Sequence, residues 1–325
     1  MRFGILSTAS IGLDSFVPAV ERSDHSVVAL ASRDEARAAA AARAHDIPRA
    51  YGSYEELLGD SEVDAVYNPL PNGLHAEWSR RAAEHGKHVL CEKPLAADTD
   101  EARALFDDCE EQGVTLMEAF MYRYHPRTER AVEVVERELG TVRSVDAAFS
   151  FHLEADDDIR LDPGLAGGSV MDVGCYAVNA VNLFLGEPTR VSAQTTDPRG
   201  TGVDPGMAAV LGFDEATARV ASGFDRARSQ YYRVETTDGW LQADPAFGVE
   251  PDEAVTLRWH ADGRTVVEEF DPVDQYEREV DGFAASVAAG TEPRISREET
   301  LRTMRTIDAI YESAETGTTV RLAEE

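Results

Sequence analysis

The sequence predicts an α/β protein in two parts: a parallel, doubly wound sheet, followed by an α+β part built on a large, mostly antiparallel, open-faced sheet. Short apolar runs alternate with helical patterns over the first 120 or so residues, which is the signature of a parallel sheet with helices on its faces. Near Tyr122 the pattern changes to segments that alternate apolar and polar residues, the period of half-buried antiparallel strands. A long apolar stretch, Ser169 to Leu185, interrupts these segments and reads as a helix.

Taken in order, Phe3–Leu6 reads as a strand, Leu13–Glu21 as a helix, Val27–Ala31 as a strand and Asp34–Ala44 as an alanine-rich helix. Val63–Tyr67, His88–Cys91 and Val114–Met117 continue the strands, with helices over Leu74–His85 and Asp98–Gln112 between them; Gly86 supplies a helix stop. After a helix over Arg130–Leu139 come strands at Val145–Leu153, Val191–Thr196, Ala208–Phe213, Ala218–Phe224, Tyr232–Thr237, Val255–His260 and Thr265–Phe270. Two helices, Glu277–Ala289 and Glu298–Ser313, close the chain. The expected division is 1–122 for nucleotide binding and 123–325 for substrate binding and oligomerisation.

The 325 residues carry 61 Asp and Glu against 31 Lys and Arg, a formal charge of −30 with a pI near 4.5. The acids are spread along the chain, so the surface is acidic and there is no acidic tail. Such a charge repels itself in dilute buffer and is screened by salt, which points to a salt-rich cytoplasm. It also excludes nucleic acid as a partner, since no basic stripe exists to neutralise phosphates. No apolar run is expected to approach the ~18 residues of a membrane span, and Met1–Leu6 enters a strand at once, without the pattern of a signal peptide. Three cysteines, Cys91, Cys109 and Cys175, are an odd number without metal-ligand spacing; they read as reduced, buried thiols in the cytosol, and no metal site is expected.

Only two of the basic residues are lysines, Lys87 and Lys93, and both lie in Gly86–Pro94. Chance can leave two survivors side by side. An ammonium, however, is a compact point charge that a guanidinium cannot replace, which makes Lys93 the first residue to suspect of chemistry.

The turn after the first strand places Ser7, Ala9 and Gly12 where a dinucleotide fingerprint has three glycines. Small residues there leave room for backbone N–H groups to face a pyrophosphate at the helix N-terminus; an ordinary tight turn is the alternative. The second strand ends in Ser32-Arg33-Asp34. Ser32 and Arg33 offer a hydroxyl and a guanidinium to a ribose 2′-phosphate, so NADP is read over NAD. In the other reading Arg33 is surface charge and Asp34 takes the acid's place. Pro69–His75 and Glu92–Pro94 follow the next strands at the carboxyl ends, where such sheets bind ligands. Asn72 alone is more often a helix cap, and His75 a surface or core histidine. Pro94 keeps Lys93 out of helical geometry.

Together these residues carry a resemblance over essentially the whole length. The anchors are the small-residue turn, Pro71-Asn72-x-x-His75, Gly86–Pro94, Glu118–Pro126 and Gly167–Tyr176. The chain resembles the glucose–fructose oxidoreductase, inositol dehydrogenase and rhizopine-catabolism (Gfo/Idh/MocA) oxidoreductase family. The resemblance implies a Rossmann domain, Lys93 as the catalytic lysine and a cis Lys93–Pro94 peptide. A tyrosine at Tyr176, where the inositol branch has histidine, is similar to the branch of NADP-dependent xylose dehydrogenase and dimeric dihydrodiol dehydrogenase. The cofactor is expected against Ser7, Thr8, Ala9, Ser10, Ile11, Ser32, Arg33, Leu70, Pro71, Asn72, His75, Glu92, Lys93 and Arg123.

Asp172, Tyr176 and Asn179 fall at i, i+4 and i+7, on one face of the Ser169–Leu185 helix. A buried Tyr with a satisfied hydroxyl is the bland reading of Tyr176. In the family reading Tyr176 exchanges the substrate's hydroxyl proton while hydride moves between carbon and nicotinamide. A phenol's usual pKa of ~10 is too high for a base near neutrality, and the Lys93 ammonium is expected to lower it. Asp172 would orient substrate hydroxyls or Lys93. Arg160, Asn179 and Tyr276 are candidate substrate contacts, with Arg160 alternatively a surface partner of Asp156–Asp158. The expected reaction is oxidation of an aldopyranose such as D-xylose or D-glucose at C1 to the lactone. A dihydrodiol dehydrogenase, a sugar reductase and a non-catalytic NADP sensor are the alternatives. A homodimer or homotetramer through the second sheet is the expected assembly.

Overall fold

The computed structural model describes residues 1–322, and the chain divides into two compact units. The first comprises Met1–Met121 and Tyr276–Thr300, the second Tyr122–Gln275 and the chain from Leu301 on. The division expected from sequence, 1–122 and 123–325, differs in one segment: Tyr276–Thr300 groups with the first unit. Its helix sets Phe283 against Phe3, ring centroids 6.3 Å apart. An amphipathic pattern shows that a helix has a face to bury but not which sheet receives it.

In the first unit, β1 (Arg2–Leu6), β2 (Ser26–Ala31), β3 (Arg49–Tyr51), β4 (Ala65–Asn68), β5 (His88–Glu92) and β6 (Leu116–Ala119) form a six-stranded sheet in the order β3-β2-β1-β4-β5-β6, parallel throughout. The order reverses at β1 and β4, which makes their carboxyl ends the switch point of the sheet. Phe3, Ile5, Leu30, Val66, Tyr67, Val89 and Leu90 are buried, as strands covered on both faces must be. Phe16 stacks on Tyr67 at 3.9 Å and meets Phe3 edge-on at 5.4 Å, locking the first helical segment to the sheet. Asp34, Ser53 and Asp98 cap their helices by accepting from the backbone N–H of Arg37, Glu56 and Glu101.

The second unit holds nine strands: β7 (Val142–His152), β8 (Arg190–Thr196), β9 (Gly206–Gly212), β10 (Thr217–Gly223), β11 (Asp225–Thr236), β12 (Gly239–Ala243), β13 (Val255–Ala261), β14 (Arg264–Phe270) and β15 (Val320–Arg321). They pair in the order β14-β13-β12-β11-β7-β10-β9-β8-β15, antiparallel except at β10 and β7. One face receives the helix Cys175–Leu185. The other carries an open groove of ≈ 600 Å³ whose lining includes Asp146, Gln194, Val210, Arg219, Tyr231 and Thr319.

The structure departs from the sequence reading where elements are short or irregular. The three-residue β3, the five-residue helix Tyr54–Leu58, β12 and β15 were not expected; each is too brief to show a period. The expected helices Leu13–Glu21 and Ser169–Leu185 each open with a π-helical turn, Ile11–Phe16 and Val170–Gly174, before the α-helix begins. The stretch Pro163–Leu185, contrary to expectation, is long and apolar enough for a membrane span by length and composition. Most of it is buried inside the protein, as the core helix of a globular unit is.

Lys87 explains one of the two lysines. Its Nζ donates to the carbonyl oxygens of Asp60 and Val63, both at 2.8 Å, and burial holds its pKa below the usual lysine range. A small ammonium on a slim stem can reach both carbonyls, a task a planar guanidinium performs with different geometry. Lys87→Met leaves two buried acceptors unmatched, and the expected cost is about 2 kcal/mol in denaturant unfolding at fixed salt.

Candidate active site

The first unit gathers its candidates at the carboxyl ends of β1, β2, β4, β5 and β6. After β1, Ser7 takes φ 144°, a left-handed conformation that favours glycine and that the fingerprint's first glycine would supply. Ser7 Oγ accepts from the Ala9 N–H at 3.1 Å, which steadies the turn. Gly12 is buried, and a Cβ there would meet Ile5 Cγ2 at 3.3 Å and Pro69 Cγ at 3.5 Å, so the position serves close helix–sheet contact. Ser7, Thr8, Ala9 and Ile11 are half-buried and Ser10 is exposed. Ser10 precedes the first helical turn and its side chain makes no capping bond there.

At the end of β2, Ser32 is buried and accepts from the Asp34 N–H at 3.3 Å. Asp34 accepts from the Arg37 N–H at 3.0 Å, so its carboxylate serves its own helix. Arg33 and Arg37 both bear on the hydroxyl of Tyr54, whose pKa burial raises and these cations oppose. Arg37 and Tyr54 were not named from sequence. Arg37 could have been found, since it lies one helical turn beyond Arg33 on the same segment; Tyr54 could not, because its helix was not foreseen.

Polar groups at the ends of β4, β5 and β6 are knitted together. Asn68 Nδ2 donates to His75 O at 3.1 Å and to Ser79 Oγ at 3.0 Å. The fully buried His75 ring stands between two carbonyls, with Nδ1 2.7 Å from Pro94 O and Nε2 2.7 Å from Leu70 O. Burial pushes its pKa down to about 4 against the pull of those acceptors, so near neutrality the ring is uncharged and has one N–H to donate; carried on Nδ1, it goes to the Pro94 carbonyl. His75 therefore faces loop backbone with both ring nitrogens. Asn72 opens a 3₁₀ turn, Asn72–Leu74, and is not the cap of the following helix, whose flanking residue is Leu74.

Lys93 precedes a cis peptide bond to Pro94. Tyr67 donates its hydroxyl to Glu92 Oε1 at 2.6 Å, and Tyr276 and Glu279 lie near enough to Tyr67 to act on its ionisation. Glu118, also fully buried, accepts from the Leu95 N–H at 3.0 Å. Burial pushes its pKa up to about 7, opposed by hydrogen bonds and by the Lys93 charge, while Glu92 raises it further. Glu279 is buried as well, with its pKa raised well above the carboxylate range by desolvation. Glu118 and Glu279 were not named from sequence: a lone Glu within a motif does not show whether water can reach it. Cys91, Cys109 and Cys175 are buried thiols, in line with small core residues, and burial pushes the Cys109 thiol up to about 12.

In the second unit Tyr176 lies at the start of its α-helix, directly after the π-helical turn. Such wide turns recur at functional sites. Its ring lies in an aromatic cage of Tyr122, Phe149 and Phe247, with centroid distances of 6.0, 5.6 and 5.4 Å. Phe247 is presented by a loop in which Arg127 donates to the Pro245 and Ala246 carbonyls, and Gln230 accepts from the Gly248 N–H at 2.6 Å. Asp172 accepts from Arg160 Nε at 2.9 Å, and Arg160 also pairs with Asp158. Arg160 thus has the acidic partner that one reading gave it, and it also ties that loop to Asp172. Asn179 is buried, accepting from the Tyr122 hydroxyl at 2.5 Å and from Arg123 at 3.5 Å, and donating to Thr303 Oγ1 at 3.4 Å. Its amide braces the cage from behind.

Asp204 anchors the entry to this helix and was also missed. It accepts from the Ser169 hydroxyl at 2.8 Å, the Val170 N–H at 2.9 Å and the Tyr311 hydroxyl at 2.8 Å. Gly168 beside it has φ 116°, and a Cβ there would lie 2.3 Å from Asp204 Oδ1. The sequence showed Asp204 only as one acid in a loop of uncertain placement.

A family model described as "oxidoreductase family, NAD-binding Rossmann fold" matches residues 1–120, and one described as "GFO/IDH/MocA C-terminal domain" matches residues 129–242. The chain belongs to the Gfo/Idh/MocA family. Among its relatives in that family, D-xylose 1-dehydrogenase (NADP(+)) 2 of Haloferax volcanii is 63% identical over 324 residues, 99% of this chain and 100% of the relative. The crystal structure of a 3-ketoreductase from Actinomadura kijaniata with NADP and TDP-benzene shares 32% identity at a TM-score of 0.91, covering 96% of this chain and 97% of that one. An aldose-aldose oxidoreductase from Caulobacter crescentus, complexed with glycerol, shares 30% identity at a TM-score of 0.92, with 99% of each chain covered. The Gfo/Idh/MocA assignment accounts for the parallel sheet, the strand-end cluster and the open second sheet.

The buried carboxylates give the stability of this Gfo/Idh/MocA protein a pH dependence of known sign. Glu118 holds its proton to about pH 7 when folded, against 4.5 when unfolded. Its contribution is present in full below pH 4.5 and lost as pH rises through 7. Glu118→Gln is expected to flatten the decline by up to about 1.4 kcal/mol per pH unit in that window, measured by urea unfolding at fixed salt.

Proposed function

We propose that the protein is an NADP-dependent sugar dehydrogenase that oxidises an aldopyranose, D-xylose foremost, at C1 to the lactone. The observation that carries this is the 63% identity, end to end, with a D-xylose 1-dehydrogenase (NADP(+)). The site fits the cofactor. Ser7 holds φ 144°, backbone that a glycine would adopt more readily. With Asp34 engaged as a helix cap, the end of β2 is left to the Ser32 hydroxyl and the Arg33 and Arg37 guanidiniums, donors suited to a 2′-phosphate.

NADP, when bound, supplies the hydride acceptor. The chain's residues position the reactants and move the proton. Tyr176 takes the hydroxyl proton in oxidation and returns it in reduction. A phenol's usual pKa of ~10 is too high for a base near neutrality, so a cation is needed to bring it within range. Lys93 is that cation. Asp172, fixed by Arg160, orients substrate hydroxyls. His75 holds the strand-end loops, and Leu70, Pro71, Asn72, Glu92 and Arg123 complete the cofactor contacts, with Tyr276 at the nicotinamide edge. The acidic surface suits a salt-rich cytosol, and the open groove around Val210 and Tyr231 is the face on which a second copy would pair to form the expected homodimer or homotetramer.

Lys93→Ala and Tyr176→Phe should each lower kcat about 100-fold or more while NADP binding, followed by cofactor fluorescence, persists; retained turnover in both would refute the roles. Arg33→Ala should raise the KM for NADP about 10- to 100-fold and leave that for NAD nearly unchanged. An equal effect on both would remove the 2′-phosphate assignment. Both are read with a sugar panel in molar salt.

A further inference from the structure

We propose that His75 and Glu118 are positioning residues for Lys93, acting as a two-ended clamp on the Pro94–Leu95 peptide unit. The proposal rests on the reading of Lys93 as the cation of the reaction. The direction in which Lys93 projects is set by the backbone that follows it. That backbone has one peptide plane, Pro94–Leu95, whose two polar atoms are each held by a different element. The carbonyl of Pro94 lies 2.7 Å from Nδ1 of His75, at the start of the helix His75–Glu84. The N–H of Leu95 donates at 3.0 Å to Oε1 of Glu118, on β6. Both side chains are fully buried, and Leu95 and Ala96 are buried beside them. With both ends held and its flanks packed, the plane cannot rotate without breaking a buried hydrogen bond.

The choice of groups supports the assignment. A carboxyl group deprived of water is costly to keep charged unless a cation shares its surroundings. Lys93 lies close enough for its charge to act on both His75 and Glu118. The other charged group bearing on Glu118 is Glu92, which is itself engaged by the Tyr67 hydroxyl at 2.6 Å. The clamp therefore holds the backbone of the lysine and at the same time brings an acid near its ammonium.

The test is a double-mutant cycle on the full chain in molar salt. Glu118→Ala and His75→Ala are each made in the parent and in the Lys93→Ala background, and kcat, the NADP dissociation constant and the melting temperature are measured. Each clamp substitution is expected to lower kcat about 10- to 100-fold in the parent, since a small misplacement of a catalytic group costs this much. NADP affinity should hold within about 3-fold. In the Lys93→Ala background the same substitutions should change kcat less than about 2-fold, because a group that acts through Lys93 has nothing left to position. A loss of equal size in both backgrounds, or turnover at the parental rate in folded single variants, would overturn the proposal. Where an alanine variant does not fold, Glu118→Met and His75→Phe, which keep the bulk and remove the hydrogen-bonding atoms, enter the same cycle under the same criteria. If Lys93→Ala itself turns over like the parent, the reading of Lys93 fails; if Lys93→Ala is impaired and the clamp variants are not, only the clamp fails.

Discussion

Where a strand stops, its last peptide groups lose their ladder partners, and burial makes each one costly to leave unmatched. Much of the construction at the candidate site answers that constraint. In the first unit Asn68, His75 and Glu118 close the ends of β4, β5 and β6 by bonding to loop backbone. In the second, Asp204 takes the first donors of the Tyr176 helix, while Arg127 and Gln230 hold the loop that carries Phe247 against Tyr176. These side chains act on backbone as well as on one another. This ties reactive groups to the scaffold more rigidly than long, exposed ion pairs would.

Charge is managed at two depths. On the surface, arginines meet the acid excess in pairs such as Arg2–Asp64, Arg103–Asp100 and Arg143–Glu215, each worth little and screened by salt. Inside, charged groups such as Lys87 and Asp204 are held by fixed partners, and salt screens them far less. An acidic protein in strong brine can therefore damp its self-repulsion without weakening the interactions that place Lys93 and its neighbours.

The sequence told most where its signal was long or chemically specific. The alternation of strands and helices through Met117 revealed the parallel sheet, because five of its six strands read as apolar runs. The Glu92-Lys93-Pro94 element and Tyr176 stood out through residue type and motif. Elements of two to five residues, such as β3 and β15, carried no period to detect. The π-helical turn before Tyr176 could not be read, since one extra residue per turn leaves no compositional mark. Glu118, Asp204 and Arg37 were missed for a common reason: an acid or an arginine in one dimension looks solvated, and only the packing of distant segments shows that it is not. The segment Tyr276–Thr300 shows the same limit at the scale of a whole helix, for its apolar face would have suited either sheet.

The rarity of lysine has a practical corollary. Acylating and reductive-alkylating reagents, which decorate most proteins at many points, find two side-chain targets in 325 residues. One of them, Lys87, is buried with its nitrogen committed to two carbonyls. Apart from the chain terminus, covalent tagging through amines should thus converge on the end of β5, giving a protein that can be marked at a single known address with its native sequence unaltered.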